Sequence, residues 1–142
     1  RLLRTRIVTC ASPSYLESHG RPRQPRNLAK GHECILFIDP TTRRPFEWEF
    51  HRGKRRIKNV PIRGQLTTND GATAIASCIA GHGIAQFMEI GVRRELEAGR
   101  LVELFPRWGE ELFPLHVLYP SRFLPSAKVR TFLDFIARIS QL

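Results

Sequence analysis

Acidic side chains are scarce in this sequence, and so are cysteine, methionine and long apolar runs. Its 142 residues hold 13 Asp and Glu against 23 Lys and Arg, with three Cys and one Met. No uncharged apolar stretch approaches the roughly 18–20 residues that span a bilayer, so no transmembrane helix is expected. A secretory leader is not expected either, because Leu2, Leu3 and Ile7 are interrupted by Arg4 and Arg6. Position 1 is Arg, which leads us to expect a piece of something longer. Cys10, Cys34 and Cys78 lie far apart with no Cys-x-x-Cys spacing. They argue against a disulfide scaffold and for reduced, buried thiols in a cytoplasmic protein.

What is present is apolar mass and a lopsided charge. With 42% hydrophobic residues, the chain can close a core and is too apolar for intrinsic disorder. Its length suits one domain. Residues 1–63 carry 15 basic and 5 acidic side chains, whereas residues 64–142 carry eight of each. The whole net charge of +10 therefore precedes residue 64.

Punctuation gives the order of elements. The β-branched run Arg6-Ile-Val-Thr-Cys-Ala11 predicts a strand. It stops at Ser12-Pro13-Ser14, where Ser12 suits an N-cap and Pro13 the first position of a short helix. A helical turn follows at 27–30. The apolar run Cys34–Ile38, closed by Asp39-Pro40, predicts a strand covered on both faces. Residues 46–64 read as a β-hairpin turning at His51-Arg-Gly-Lys-Arg55. Asn69 or Asp70 caps a helix with Ala72, Ile75, Ala76 and Ile79 at helical spacing, and Gly81 stops it. A strand at 83–87, a helix at 89–98 closed by Gly99, and strands at 101–105 and 115–119 come next. The chain ends in an amphipathic helix whose stripe is Val129, Phe132, Leu133, Ile136 and Ile139. Helices alternating with strands predict an α/β fold with a mainly parallel sheet.

Catalytic and metal templates are missing. His19, His32, His51, His82 and His116 form no His-Glu-x-x-His pattern, and His32-Glu33-Cys34 would point to opposite faces of one strand. There is no Gly-x-Ser-x-Gly elbow. Gly81-His82-Gly83 follows a helix instead of opening one, so it reads as a cap and turn and not as a dinucleotide fingerprint. The basic hairpin of Arg52, Lys54, Arg55, Arg56 and Lys58 reads mainly as a solvated edge, with phosphate gripping as the lesser reading. Residues 76–94 have the outline of a helix-turn-helix. The recognition helix would begin at Ile84-Ala-Gln-Phe87 with no basic residue in its first turn, which excludes DNA reading.

Two strand-to-helix corners remain: Ser12-Pro13-Ser14, and Thr67-Thr68-Asn69-Asp70-Gly71. In open α/β sheets, ligands sit beyond the carboxyl ends of strands, where hydroxyls and backbone N–H groups converge. Capping alone would also account for Ser12 and Asn69.

The residues carry a family pattern. Cys10-Ala-Ser-Pro-Ser-Tyr-Leu-Glu-Ser-His-Gly20, Pro25-Arg-Asn-Leu-Ala-Lys-Gly-His-Glu-Cys-Ile35, Trp48-Glu-Phe50 and Gly64-Gln-Leu-Thr-Thr-Asn-Asp70 occur in order. They are followed by Gly81-His-Gly-Ile-Ala85, Leu96-Glu-Ala-Gly-Arg-Leu-Val102, Leu118-Tyr-Pro120 and Lys128-Val-Arg-Thr-Phe-Leu-Asp-Phe135. The set resembles the effector-binding domain of LysR-type transcriptional regulators and covers essentially the whole chain. One departure is Gln86-Phe-Met-Glu89, where many relatives have a Leu-Pro pair.

The resemblance implies a type II periplasmic-binding-protein-like α/β fold of two lobes with an effector between them. Residues 1–142 would be a partial effector domain: a crossover strand at about 3–11, a second lobe at about 6–115, and at 116–142 a return strand and the last helix of the first lobe. It implies a small-molecule-sensing regulatory domain without catalysis, metal or cofactor, which works by population shift. Partners would be a polar or anionic effector, further copies in a homodimer or tetramer, and DNA through a winged helix-turn-helix absent from this chain, with no membrane. The expected effector-facing residues are Ser12, Pro13, Phe37, Asp39, Thr68, Asn69 and Asp70. Asp70 would repel an anion unless it caps its helix. A periplasmic solute-binding protein is the alternative, and an α/β enzyme a more distant one. The final helix is expected to dock onto its own lobe, a partner chain or residues beyond this chain.

Overall fold

A computed structural model describes residues 3–118 and 127–139. They form two compact units. The larger is Arg6–Glu111; the smaller holds residues 3–5, 112–118 and 127–139. The strands are β1 (Leu3–Ala11), β2 (Leu36–Phe37), β3 (Phe50–Arg52), β4 (Arg55–Ile57), β5 (Thr67–Thr68), β6 (Ala85–Met88), β7 (Val102–Leu104) and β8 (Leu112–Leu115). The helices are α1 (Pro13–His19), α2 (Gly71–Ile79), α3 (Glu89–Glu97) and α4 (Ala127–Ile139), with 3-10 turns at Pro25–Ala29 and Pro106–Trp108.

The fold is α/β, but the sheet is mixed and not mainly parallel. β1 lies between β6 and β7 and is antiparallel to both. Parallel pairing is seen between β2 and β5 and at the bridges from Cys34 to Ile84 and from His51 to Gly109. Helix–strand alternation predicts the class; it does not fix the direction of a strand such as β1, whose neighbours β6 and β7 lie more than seventy residues on in the chain.

Alternation along these strands builds two cores. Ala11, Cys34, Ile84 and Leu104 enter a cluster with Tyr15, Leu28, Trp48, Phe50, Val60 and Phe105. Val8, Cys10, Ile35 and Ala85 enter another with Ala74, Cys78, Val92 and Leu101. Successive side chains point to opposite faces, so one sheet feeds both clusters. Each fully buried aliphatic side chain, such as Leu28 or Ile84, contributes about 1.5–3 kcal/mol. The three cysteines are free and buried. Burial pushes the Cys34 and Cys78 thiols up to about 12 and raises Cys10 as well, which makes them packing groups and not nucleophiles.

Three local expectations change. The hairpin is only Phe50–Arg52 with Arg55–Ile57, because the chain after β4 leaves to lie against Cys34, whose N–H donates to the Arg63 carbonyl at 2.9 Å. That approach requires glycine next: a Cβ on Gly64 would stand 1.6 Å from the Cys34 carbonyl oxygen. Helix α2 buries Ala74 and Cys78, while Ala72 and Ala76 are exposed. Two overlapping stripes of small residues satisfy the same helical spacing, and the smaller contact surface, which lets the helix approach the sheet, wins. The strand expected at 115–119 is found earlier, as β8, and it contains Pro114, as an edge position allows. Tyr119 lies outside the described residues.

The smaller unit differs in kind. Strand β8 pairs with β1. Helix α4 has no buried residue: Val129, Leu133 and Ile136 are half-buried, and Phe132, Phe135 and Ile139 are 58%, 53% and 51% exposed.

Candidate functional site

The parallel register of β2 and β5 builds one corner. Leu36 pairs with Thr67 and Phe37 with Thr68, and the Ile38 N–H donates to the Thr68 carbonyl at 2.9 Å. The carboxyl ends of both strands, with Phe37, Asp39, Thr68, Asn69 and Asp70, therefore share one end of the sheet, above the first turn of α2.

The Asp70 carboxylate accepts the Thr73 N–H at 2.7 Å and the Thr73 hydroxyl at 2.6 Å. It is the N-cap of α2, and these bonds hold it below the usual carboxylate range. The Thr68 hydroxyl oxygen accepts the Asp70 N–H at 3.0 Å. Asp39 accepts the Thr41 N–H at 2.7 Å in a local turn and is likewise lowered, chiefly by that bond. Both carboxylates are ionised at neutral pH and committed to their own backbone. The Asn69 carboxamide is exposed and makes no hydrogen bond among the described residues. Phe37 stacks on Phe46 with ring centroids 6.4 Å apart, which forms an aromatic flank.

Ser12 and Pro13 are not at this corner. β1 runs against β6, pairing Cys10 with Ala85, so its carboxyl end meets the amino ends of β6 and β2. The span from Cys34 to Ile38 separates the two ends of the sheet by roughly 13 Å at ~3.3 Å per residue. Ser12 is buried and acts as a cap: its Oγ accepts the Tyr15 N–H at 3.2 Å and lies 3.1 Å from the Ser14 hydroxyl. Gly81, at the far end of α2, packs against this pair; a Cβ there would sit 3.1 Å from Ser14 Oγ. Pro13 is the exposed first residue of α1.

Two polar groups were not singled out by sequence. The Tyr15 hydroxyl accepts the Glu33 N–H at 2.9 Å and lies 3.3 Å from His32 Nδ1, while its ring stacks on His19 at 4.3 Å. Burial lowers His32, which keeps it neutral. This set ties α1 to the chain entering β2. Arg6 is clamped between Glu103, 2.5 Å from Nη1, and Glu89, 3.2 Å from Nε. These two carboxylates raise its affinity for a proton, and the pair locks β1 to β7 and α3. Neither had a local sequence signal, since each partner lies far along the chain. Among the described residues, no three His, Cys, Asp or Glu side chains gather as a metal site, and no helix is long and apolar enough to cross a membrane.

Comparison with known proteins agrees with this architecture. The LysR substrate binding domain family matches residues 1–140. YhjC, an HTH-type transcriptional regulator of Escherichia coli, is 33% identical over 94% of this chain and 44% of its own length. A transcriptional regulator of Pseudomonas aeruginosa is 34% identical over 91% of this chain and 42% of its own. The structure of CrgA, a LysR-type transcriptional regulator from Neisseria meningitidis, superposes with a TM-score of 0.82 at 26% identity, over 98% of this chain and 46% of that one. The chain thus spans less than half the length of these curated relatives. With its α/β sheet, its strand-end corner and this match along nearly all of its length, the chain belongs to the LysR substrate-binding domain family.

Proposed function

We propose that this chain is the sensing part of a DNA-binding transcription regulator and that the corner at the ends of β2 and β5 faces the effector. The unclaimed Asn69 carboxamide carries this reading. It stands beside two carboxylates already satisfied by local backbone, so it is the polar group left to recognise a ligand, with Phe37 as an apolar wall. Ionised Asp39 and Asp70 flank it, so the effector is a polar molecule that offers hydrogen-bond donors or turns any negative charge away from this corner. The Arg6–Glu111 unit is then the second lobe of a two-lobed domain, and β8 with α4 belong to the first. Effector binding favours one lobe arrangement, and paired subunits pass it to DNA-binding heads. Catalysis has no part in this scheme, and the site of action is the cytoplasm. The solute-binding-protein alternative is set aside, because the relatives that match along this chain are regulators.

The test uses the full-length regulator. A thermal-shift screen of small amides, sugars and carboxylates identifies a ligand, and Asn69→Leu is then measured beside wild type. Loss of the shift with an unchanged dimer on size exclusion is expected. An unchanged shift would remove this corner as the site.

A further inference from the structure

Cationic side chains from three stretches of the larger unit converge around Trp108. Arg21 and Arg23 come from the loop before the first 3-10 turn, and Arg107 comes from the second. With Pro22, Phe105 and Trp108 they line a solvent-open basin of about 580 Å³. From the hairpin, the guanidinium carbons of Arg52 and Arg55 stand 5.9 and 6.0 Å from the Trp108 ring centroid.

Among the described residues, these charges lack carboxylate counter-ions. Glu49 holds Arg56 and Lys58, Glu103 holds Arg6, Glu110 accepts the Gly53 N–H, and Glu111 faces His51 at 3.1 Å. Among the described residues, none of Arg21, Arg23, Arg52, Arg55 and Arg107 pairs with a carboxylate. Arg21 is steadied by donating to the Glu103 carbonyl at 2.9 Å, which orients its guanidinium without neutralising it. Arg52 and Arg55 are cross-strand partners, and like charges set opposite each other repel.

We propose that this basin is a second ligand site, sharing no residue with the strand-end corner, for a compact di- or trianionic small molecule bearing carboxylate or phosphate groups. Guanidinium forks match such oxyanions in paired hydrogen bonds. The volume suits a small molecule, and the proline and aromatic floor covers its carbon skeleton. An anion there also relieves the repulsion within the cationic cluster.

Isothermal titration of the full-length regulator with citrate and with inorganic pyrophosphate, at physiological ionic strength, tests the site. The doubly substituted Arg23→Gln/Arg107→Gln protein is compared with Arg93→Gln/Arg94→Gln, which removes the same charge from exposed positions on α3. At least one anion binds wild type; the basin variant weakens it roughly tenfold or more, and the α3 variant leaves it unchanged. Should the basin variant fail to fold, the readout is tryptophan fluorescence, which citrate or pyrophosphate shifts in wild type and not in Trp108→Phe. Absence of binding by either anion up to about 10 mM, equal weakening in the α3 variant, or duplex DNA displacing the anion from the same arginines would overturn the proposal.

Discussion

The Arg6–Glu111 unit and helix α4 carry apolar side chains at comparable regularity, yet they meet opposite fates. In the larger unit, alternation on the sheet and capped helices close two cores, with Leu28, Ile84, Leu101 and Val92 sealed from solvent. In the smaller, Thr5 is the one buried residue among those described, and α4 keeps Phe132 and Phe135 more than half exposed. An amphipathic pattern therefore states that a face is apolar; only long-range partners determine whether it is covered.

The contrast can be broken hardest at Gly64. Gly64→Ala drives a methyl into the Cys34 backbone, and a loss of more than about 3 kcal/mol, or no folded protein, is expected by urea denaturation; near-wild-type stability would mean that the two strands part without cost. Next, Leu28→Ala in the larger unit should cost about 2–5 kcal/mol, whereas Phe135→Ala on α4 should move the same unfolding midpoint by less than about 0.5 kcal/mol. Comparable effects at both positions would erase the distinction between the units. Ser12→Ala removes the α1 cap and should cost about 1 kcal/mol without altering ligand affinity at the β2–β5 corner, a separation that titration and denaturation together can read.

The smallest effect is in acid. Asp70 is lowered by its bonds to Thr73, so it binds a proton less readily folded than unfolded. Its stabilisation is present above the ordinary carboxylate range and is lost as pH falls through the lowered folded value. Asp70→Asn should therefore flatten the acid limb of stability against pH by lowering stability in the neutral region, with little change in strong acid, where wild-type Asp70 is itself protonated. An unaltered acid limb would show that the cap carries no net charge effect.

Helix ends were the most legible part of the sequence. Ser12-Pro13 and Asp70 sit where cap chemistry puts them, and Gly81 and Gly99 end their helices with positive φ, because capping depends on neighbours within three or four residues. The Phe37, Asp39 and Thr68–Asp70 grouping was legible because a strand-to-helix turn implies it. That Ser12 stands at the other end of the sheet from this grouping was not legible, for a different reason: which end of a sheet a strand points to is decided by pairings such as Cys10 with Ala85, and no local pattern encodes that. The same holds for Gly64, whose need for glycine comes from Cys34 thirty residues away, and for the face of α2, where alanines on either side of the helix satisfy one period.

The antiparallel course of β1 also has an evolutionary consequence. It places the two ends of α2 under separate selection. At one end Ser12, Ser14 and Gly81 interlock as a buttress that tolerates little change. At the other, Asn69 and Thr68 sit on a rim that few packing contacts constrain. On the site proposed above, descendants of this domain would acquire new chemical tastes by altering the rim while inheriting the buttress intact.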